Sequence, residues 1–587
     1  MALDDILRDV SADNAWESVL HITSEIPSRL AGSANARRMA EFAAGKLRQA
    51  GLDSRLDEFL GLVSFPEPAQ VWALSPEQFT IDGFTLAQSA STDGLEGELI
   101  DLGAATEADY EGRDVRGKII LSEFPYAPAR QEKAVIAWRH GAAGQIFMNF
   151  GDDDCDAYAF GSVKSPWGNP TPEALEHDLP DLPSVSISRI DGLRLKALCR
   201  SGPVRVRLNA HAANGWHTLT MTSAEFGTEP EREFLLLGGH MDSWFGPQAT
   251  DNATGDACIL ELARVFKQHE GELRRGLVTA LWMGHETGTM ISSTRFADVN
   301  WDRLRRSCVA YLQIDQPAIA NSSIWHTAST EDIQSYSTRI ARETLGTLPQ
   351  RWGRQSKNGD SSFFGVGIAA LAGETMFSED VARRTGFANL GWFHHSAHNT
   401  LDKVDRTLLA PHLEVYARWM WGLLTEPILP HEYEPLGRAF VDRLVELSAY
   451  DVPNIDMESA VEQARTFHAL ATQLDQQSTA WRDRINAGTS DADRAANLLN
   501  QTKLRVSRIL VPIASTVVGP YGQDRYGHSW QSRMIPSLAP YPQLAGYLRD
   551  SEAFQTWWVS MIRARNRAVD ALVMASDVVR GALGDLG

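Results

Sequence analysis

His240 and Asp242 close an apolar run, Phe234 to Gly239, and Asp251-Asn252 follows nine residues after Asp242. Glu286 lies just past a second apolar run, Leu277 to Trp282, and Asp315 directly ends a third, Val309 to Ile314. Singly, each acid reads as a helix cap or a solvated turn. An acid or histidine at the end of successive strand-like runs points instead to one shared metal site, because ligands in open α/β sheets collect at the carboxyl ends of the strands. A divalent ion held by imidazole and carboxylate polarises a carbonyl and acidifies a bound water.

The elements that must position these residues follow from periodicity. Between the first two runs, Ile259, Leu262, Ala263 and Phe266 recur at i, i+3, i+4 and i+7, the spacing of one helical face. Strand, helix, strand in that order implies a largely parallel sheet with helices on its faces. Near the start, Ser33 stands where it can cap a helix with Met39, Phe42, Ala43 and Leu47 on one side. From about 80 to 214 the texture changes to short β-rich runs separated by Gly and Pro, such as 118–121, 144–147 and 183–187. Beyond 433 it turns helical, with Ala460, Ala464, Phe467, Ala471 and Leu474 as one stripe. The expected fold is α/β: a mixed sheet flanked by helices (1–79 and 215–432), a β-rich insertion at 80–214 and a C-terminal helical domain at 433–587.

Composition narrows the function classes. Lys and Arg number 55 against 75 Asp and Glu, a formal net charge of -20, and such a field repels nucleic acid and anionic lipid surfaces. No apolar stretch reaches the length of a membrane span, and MALDDILRDV lacks the pattern of a secretory leader. Cys155, Cys199, Cys258 and Cys308 form no CxxC pair, which argues against a thiolate zinc site and a disulfide framework. A cytoplasmic enzyme with free thiols is the expectation.

The segments GGHMDSWFGPQATDNATG, ALWMGHETGTMISSTRFAD, YLQIDQ and FHHSAHNTLDKVD together resemble the co-catalytic zinc aminopeptidases and their larger relatives, glutamate carboxypeptidase and the transferrin receptor. The resemblance implies two zinc ions per chain. His240 and Glu286 or Asp315 would each bind one ion, Asp251 would bridge both, and His395 would complete the shell of the second ion. Asp242 would orient the imidazole of His240. YEGRDVRGKIIL, HGAAGQIFMNF and LPSVSISRIDG look like the protease-associated domain that those larger relatives insert. GPYGQDRYGHSW occupies the place of a helical-domain loop that reaches the substrate pocket, which makes Arg525 and Tyr526 candidate substrate-binding residues. The larger relatives also imply a homodimer through the helical domain.

The chain departs from the family at His285, where a glutamate is the expected general base. Imidazole titrates near 6.5 and suits proton transfer at neutral pH, so His285 is the candidate base, with a role as metal ligand as the other reading. His394 and His398 flank His395 and read as neighbours of the site. The favoured function is hydrolysis of an amide or peptide bond, aminopeptidase- or carboxypeptidase-like, by a metal-bound hydroxide. A small peptide or amide is the expected partner, an acidic one if Arg525 reaches the pocket. Two alternatives are a lyase step on a carboxylate substrate at the same metals and a noncatalytic, receptor-like binding protein.

Overall fold

A computed structural model of the chain describes residues 2–125, 127–230, 232–488, 491–526 and 532–586. After the N-terminal helices, β1 (Asp53–Pro66) leads into a closed barrel. The barrel comprises β2 (Pro68–Ser75), β3 (Phe79–Thr85), β4 (Thr92–Gly103), β5 (Ile119–Glu123), β6 (Gly144–Met148), β7 (Ser184–Ile187) and β8 (Val204–Ala210). From it β9 (Ala212–Phe226) returns antiparallel to β1. The remaining strands are β10 (Phe234–His240), β11 (Gly276–Trp282), β12 (Cys308–Gln313), β13 (Ile324–Ser329), β14 (Gln350–Arg354) and β15 (Ala370–Met376).

These form an eight-stranded mixed sheet in the order β1-β9-β11-β10-β12-β15-β13-β14, with β11, β10, β12 and β15 parallel. Every residue of β10, β11 and β12 is buried, as central parallel strands covered on both faces require. The helices Ala34–Gln49 and Thr254–Gln268 pack into the same core, and Ser33 caps the first of them by accepting from the Ala36 N–H at 3.1 Å. The barrel holds its own small core. Its first strand lies ahead of the boundary expected at 80, because Pro68 and Pro76 bracket that strand and read as loop.

The C-terminal helices enclose a separate core that includes the stripe from Ala460 to Leu474. The helix Ala492–Ser515 joins it to the sheet domain, for Leu504 and Val511 belong to the sheet's core. Among the described residues no helix is long and apolar enough to cross a membrane.

Two buried imidazoles brace the sheet domain, His412 within it and His431 where the C-terminal helices join it, both in their neutral forms. His412 Nδ1 accepts from the Ala318 N–H at 3.1 Å, and His431 Nε2 donates to the Val309 carbonyl at 3.1 Å. Burial pushes both down to about 3, with Lys503 adding to the effect at His431. Their unfolded forms protonate near 6.5, so on acidification the unfolded chain takes up protons first. Their contribution is complete above about pH 6.5 and is lost as pH falls toward about 3. The urea midpoint of the wild type should therefore fall faster below pH 6.5 than that of a His412→Gln/His431→Gln variant; parallel curves would contradict this.

Candidate metal centre

β10, β11 and β12 deliver His240, Glu286 and Asp315 to one end of the sheet, and the loop 241–253 brings Asp251 beneath them. The loop is tied down locally. Arg29, fully buried, donates from Nε to the Met241 carbonyl at 3.2 Å and from Nη1 to the Pro247 carbonyl at 3.1 Å. Asn252, which follows a cis peptide bond, donates from Nδ2 to the backbone carbonyls of His240 and Ile314, and its side-chain Oδ1 accepts from the Gln316 N–H. Gly239 makes this closeness feasible: a Cβ there would lie 2.3 Å from the Ile314 oxygen. His395 enters from the loop 386–400 with φ 54, a left-handed conformation uncommon outside glycine and frequent at functional sites.

Asp251 presents one oxygen to each side. Its Oδ1 lies 3.1 Å from His240 Nε2, which is also 3.5 Å from Asp315 Oδ1. Its Oδ2 lies 3.1 Å from His395 Nε2, which is 3.5 Å from Glu286 Oε1. The sequence left Glu286 and Asp315 unassigned between the two ions; Asp315 lies beside His240 and Glu286 beside His395, while Glu286 also forms a donor group with His240 and Asp251. Donor atoms around a tetrahedral zinc, at about 2.1 Å from it, stand roughly 3.4 Å apart, which is the spacing seen. His240 Nε2, both Asp251 oxygens, Glu286 Oε1 and Asp315 Oδ1 are buried without a hydrogen-bond partner. Buried orphans of this kind are costly unless something else satisfies them, so the donor set fits divalent ions.

The electrostatics agree. Burial opposes charge on both His240 and Asp251, yet Asp315 and Asp251 hold the His240 pKa well above its ordinary value, and His240 and His395 hold Asp251 well below. The carboxylates thus demand positive charge that a bound cation would supply in place of imidazole protons. Glu286 is pushed up, chiefly by burial.

Several expected residues sit differently from the sequence reading. The Asp242 carboxylate is 4.0 Å from His240 Nδ1, whose partner is the Asp242 backbone carbonyl at 3.0 Å. Its oxygens accept the N–H groups of His285 and Glu286 at 3.1 Å each, so Asp242 braces the turn that carries them and holds His240 through its main chain. The His285 ring stacks on His240 at 3.8 Å with 14° between planes. Although donor atoms of His240, His285 and Asp315 lie within 4.8 Å of one another, an ion lies in the plane of an imidazole it binds, and two parallel planes cannot share one ion. This sets His285 beside the donor set and not within it. Burial and the neighbouring His240 oppose a proton on it, and Asp360 outweighs them, raising its pKa.

Arg525 corrects another expectation. Its guanidinium is bound to Asp178 and lines a separate cavity with His177 and Val518, 347 residues apart in sequence from its partner. Tyr526 does line the metal cavity, of about 300 Å³, and its N–H donates to the Ser165 carbonyl at 2.8 Å. The rest of the quoted loop, 527–530, lies outside the described residues. His394 Nδ1 is 3.4 Å from Asp251 Oδ2 and forms a donor group with Asp251 and His395, a closer association than the sequence predicted. Sequence reasoning also missed Arg130 and Glu374, both of which line the cavity. The barrel contributes further: Lys164, buried, donates to the Gly288 carbonyl and fixes the turn after Glu286.

Residues 222–420 match the model of peptidase family M28, and residues 94–195 match the PA domain. Over residues 222–420 the chain is similar to peptidase family M28. Probable glutamate carboxypeptidase VP8 of Zea mays is 22% identical over 501 residues, 72% of this chain and 68% of that protein. Transferrin receptor protein 2 of Rattus norvegicus is 23% identical over 381 residues, 54% of this chain and 47% of that protein. The solved zinc aminopeptidase BSAP from Bacillus subtilis superposes with a TM-score of 0.54 at 20% identity, covering 71% of this chain and 96% of its own. The sheet domain with its M28-like region, the PA-like insertion and the helical C-terminal region are the α/β architecture expected from the sequence.

Proposed function

We propose that this M28-like protein is a two-metal exopeptidase acting on small peptides, with His240 and Asp315 holding one zinc ion, His395 and Glu286 the other, and Asp251 both. The observation that carries the reading is Asp251, whose two orphaned oxygens face two different histidines. Bound there, the ions would supply Lewis acidity toward a scissile carbonyl and lower the pKa of an attacking water. His285 then takes a proton from that water at Nε2 and returns it to the nitrogen of the departing amine. Tyr526 and His394 wall the cavity against bulk solvent.

Arg130, from the barrel helix Arg130–Arg139, supports recognition of a substrate carboxylate. Its Nε donates to the Ser162 carbonyl at 3.0 Å, it lines the cavity, and among the described residues it forms no ion pair. A guanidinium offers a carboxylate two parallel hydrogen bonds. Glu374, on β15 beside the Asp315 strand, is an acid suited to an amine at the other end of such a substrate. The reading also takes the protein as cytoplasmic and as a homodimer through the helices beyond 433.

The test is an assay of zinc-reloaded protein on short peptides. Chelation should abolish hydrolysis and zinc should restore it. Arg130→Ala should raise KM for a peptide with a free α-carboxylate by roughly 10–100-fold, the worth of a hydrogen bond to a charged group, and leave the amidated peptide nearly unaffected. Equal responses to the two peptides would remove Arg130 from the substrate site.

A further inference from the structure

We propose that Asp360 is the positioning residue for His285, holding it in the tautomer whose Nε2 lone pair faces the cavity. The proposal rests on His285 being the base. Asp360 Oδ2 lies 2.9 Å from His285 Nδ1. A carboxylate only accepts, so Nδ1 carries the proton and Nε2 is left as the acceptor.

The arrangement is locked from every side. Asp360 is fully buried, and its other oxygen takes the Ser293 hydroxyl at 2.7 Å. Ser293 Oγ is 2.9 Å from Ser362 Oγ, which accepts from Trp167 Nε1 at 2.8 Å, so the inserted barrel anchors the chain of contacts. The Asp360 loop is itself held close: Gly359 has φ 51, and a Cβ there would lie 2.0 Å from Gln313 Nε2. On the other side the His285 ring is clamped by its stack on His240. One edge on Asp360 and one face on His240 hold the imidazole, which lines the cavity, and Nε2 is the ring nitrogen that Asp360 leaves free.

The proton balance follows. As the water oxygen forms its bond to the carbonyl carbon, Nε2 takes the proton, and Nδ1–H stays on Asp360. When the C–N bond breaks, Nε2–H passes to the amine and the starting tautomer returns. A glutamate base needs no such partner, whereas an imidazole has two nitrogens and must be told which one to use.

Asp360→Asn tests this. Ser293 keeps the amide oxygen on its own side, so the amide NH₂ faces Nδ1, which must then accept, and the proton moves to Nε2. In zinc-loaded protein kcat should fall by roughly 10²–10⁴-fold with KM and metal content unchanged. Nitrogen-15 NMR of labelled wild type should show His285 protonated at Nδ1, and the variant at Nε2. In a His285→Glu background, Asp360→Asn should have little further effect on kcat. Wild-type His285 protonated at Nε2, or the same kcat loss in both backgrounds, would overturn the proposal. Failure of the base reading is distinguishable, because it shows as an unchanged rate in His285→Ala, while the tautomer is read in the wild type whatever its rate.

Discussion

Asp251→Ala should leave the protein folded and without either ion, with peptide hydrolysis at the level of the chelated enzyme. The carboxylate is the one group shared by the two lobes, 3.1 Å from His240 on one side and 3.1 Å from His395 on the other. Its removal strips each lobe to two ligands, fewer than a catalytic zinc site uses. Asp242→Asn is the informative contrast. Asp242 accepts two backbone N–H groups and an asparagine retains one acceptor, so metal affinity should weaken by roughly the 10–100-fold typical of residues that support ligands. Metal titration of both variants checks the pair, and equal effects would deny Asp251 its bridging position.

His285→Ala carries the second large effect, and it should separate chemistry from metal binding. The stacked geometry keeps His285 out of the ligand set, so the metal content should stay that of the wild type. Hydrolysis should fall by roughly 10²–10⁴-fold, the usual contribution of a placed acid/base group. His285→Glu should retain hydrolysis, since a carboxylate in the same turn can take the water proton without Asp360. Loss of an ion in His285→Ala would instead make His285 a ligand, and the parallel-ring argument would be wrong.

Much of this was legible in the chain. β10, β11 and β12 announce themselves as uninterrupted apolar runs because both their faces are buried, and each run ends on or near a candidate ligand. Ser33 and the Ala460–Leu474 stripe were legible for the same reason: capping and helical periodicity are local. Contacts between distant segments left no such trace. Asp360 stands 75 residues from His285, and nothing around it differs from a polar turn until the loop folds under Gln313. Arg130 reads as an ordinary first-turn helical arginine in a barrel that gives no hint of reaching the sheet. Arg525 was misplaced because its partner, Asp178, comes from that same distant barrel. The role of Asp242 was misjudged by one peptide unit: its carbonyl, which no sequence pattern reports, serves His240 and frees the carboxylate for the next turn.

The proposed function requires a centre that holds a pair of ions. The direct measurement is a calorimetric zinc titration of chelated protein, followed by peptide hydrolysis at each point. Two ions per chain should bind, both should be lost in Asp251→Ala, and hydrolysis should return as the sites fill. Saturation at one ion with full activity, or hydrolysis that persists in the metal-free protein, would contradict it.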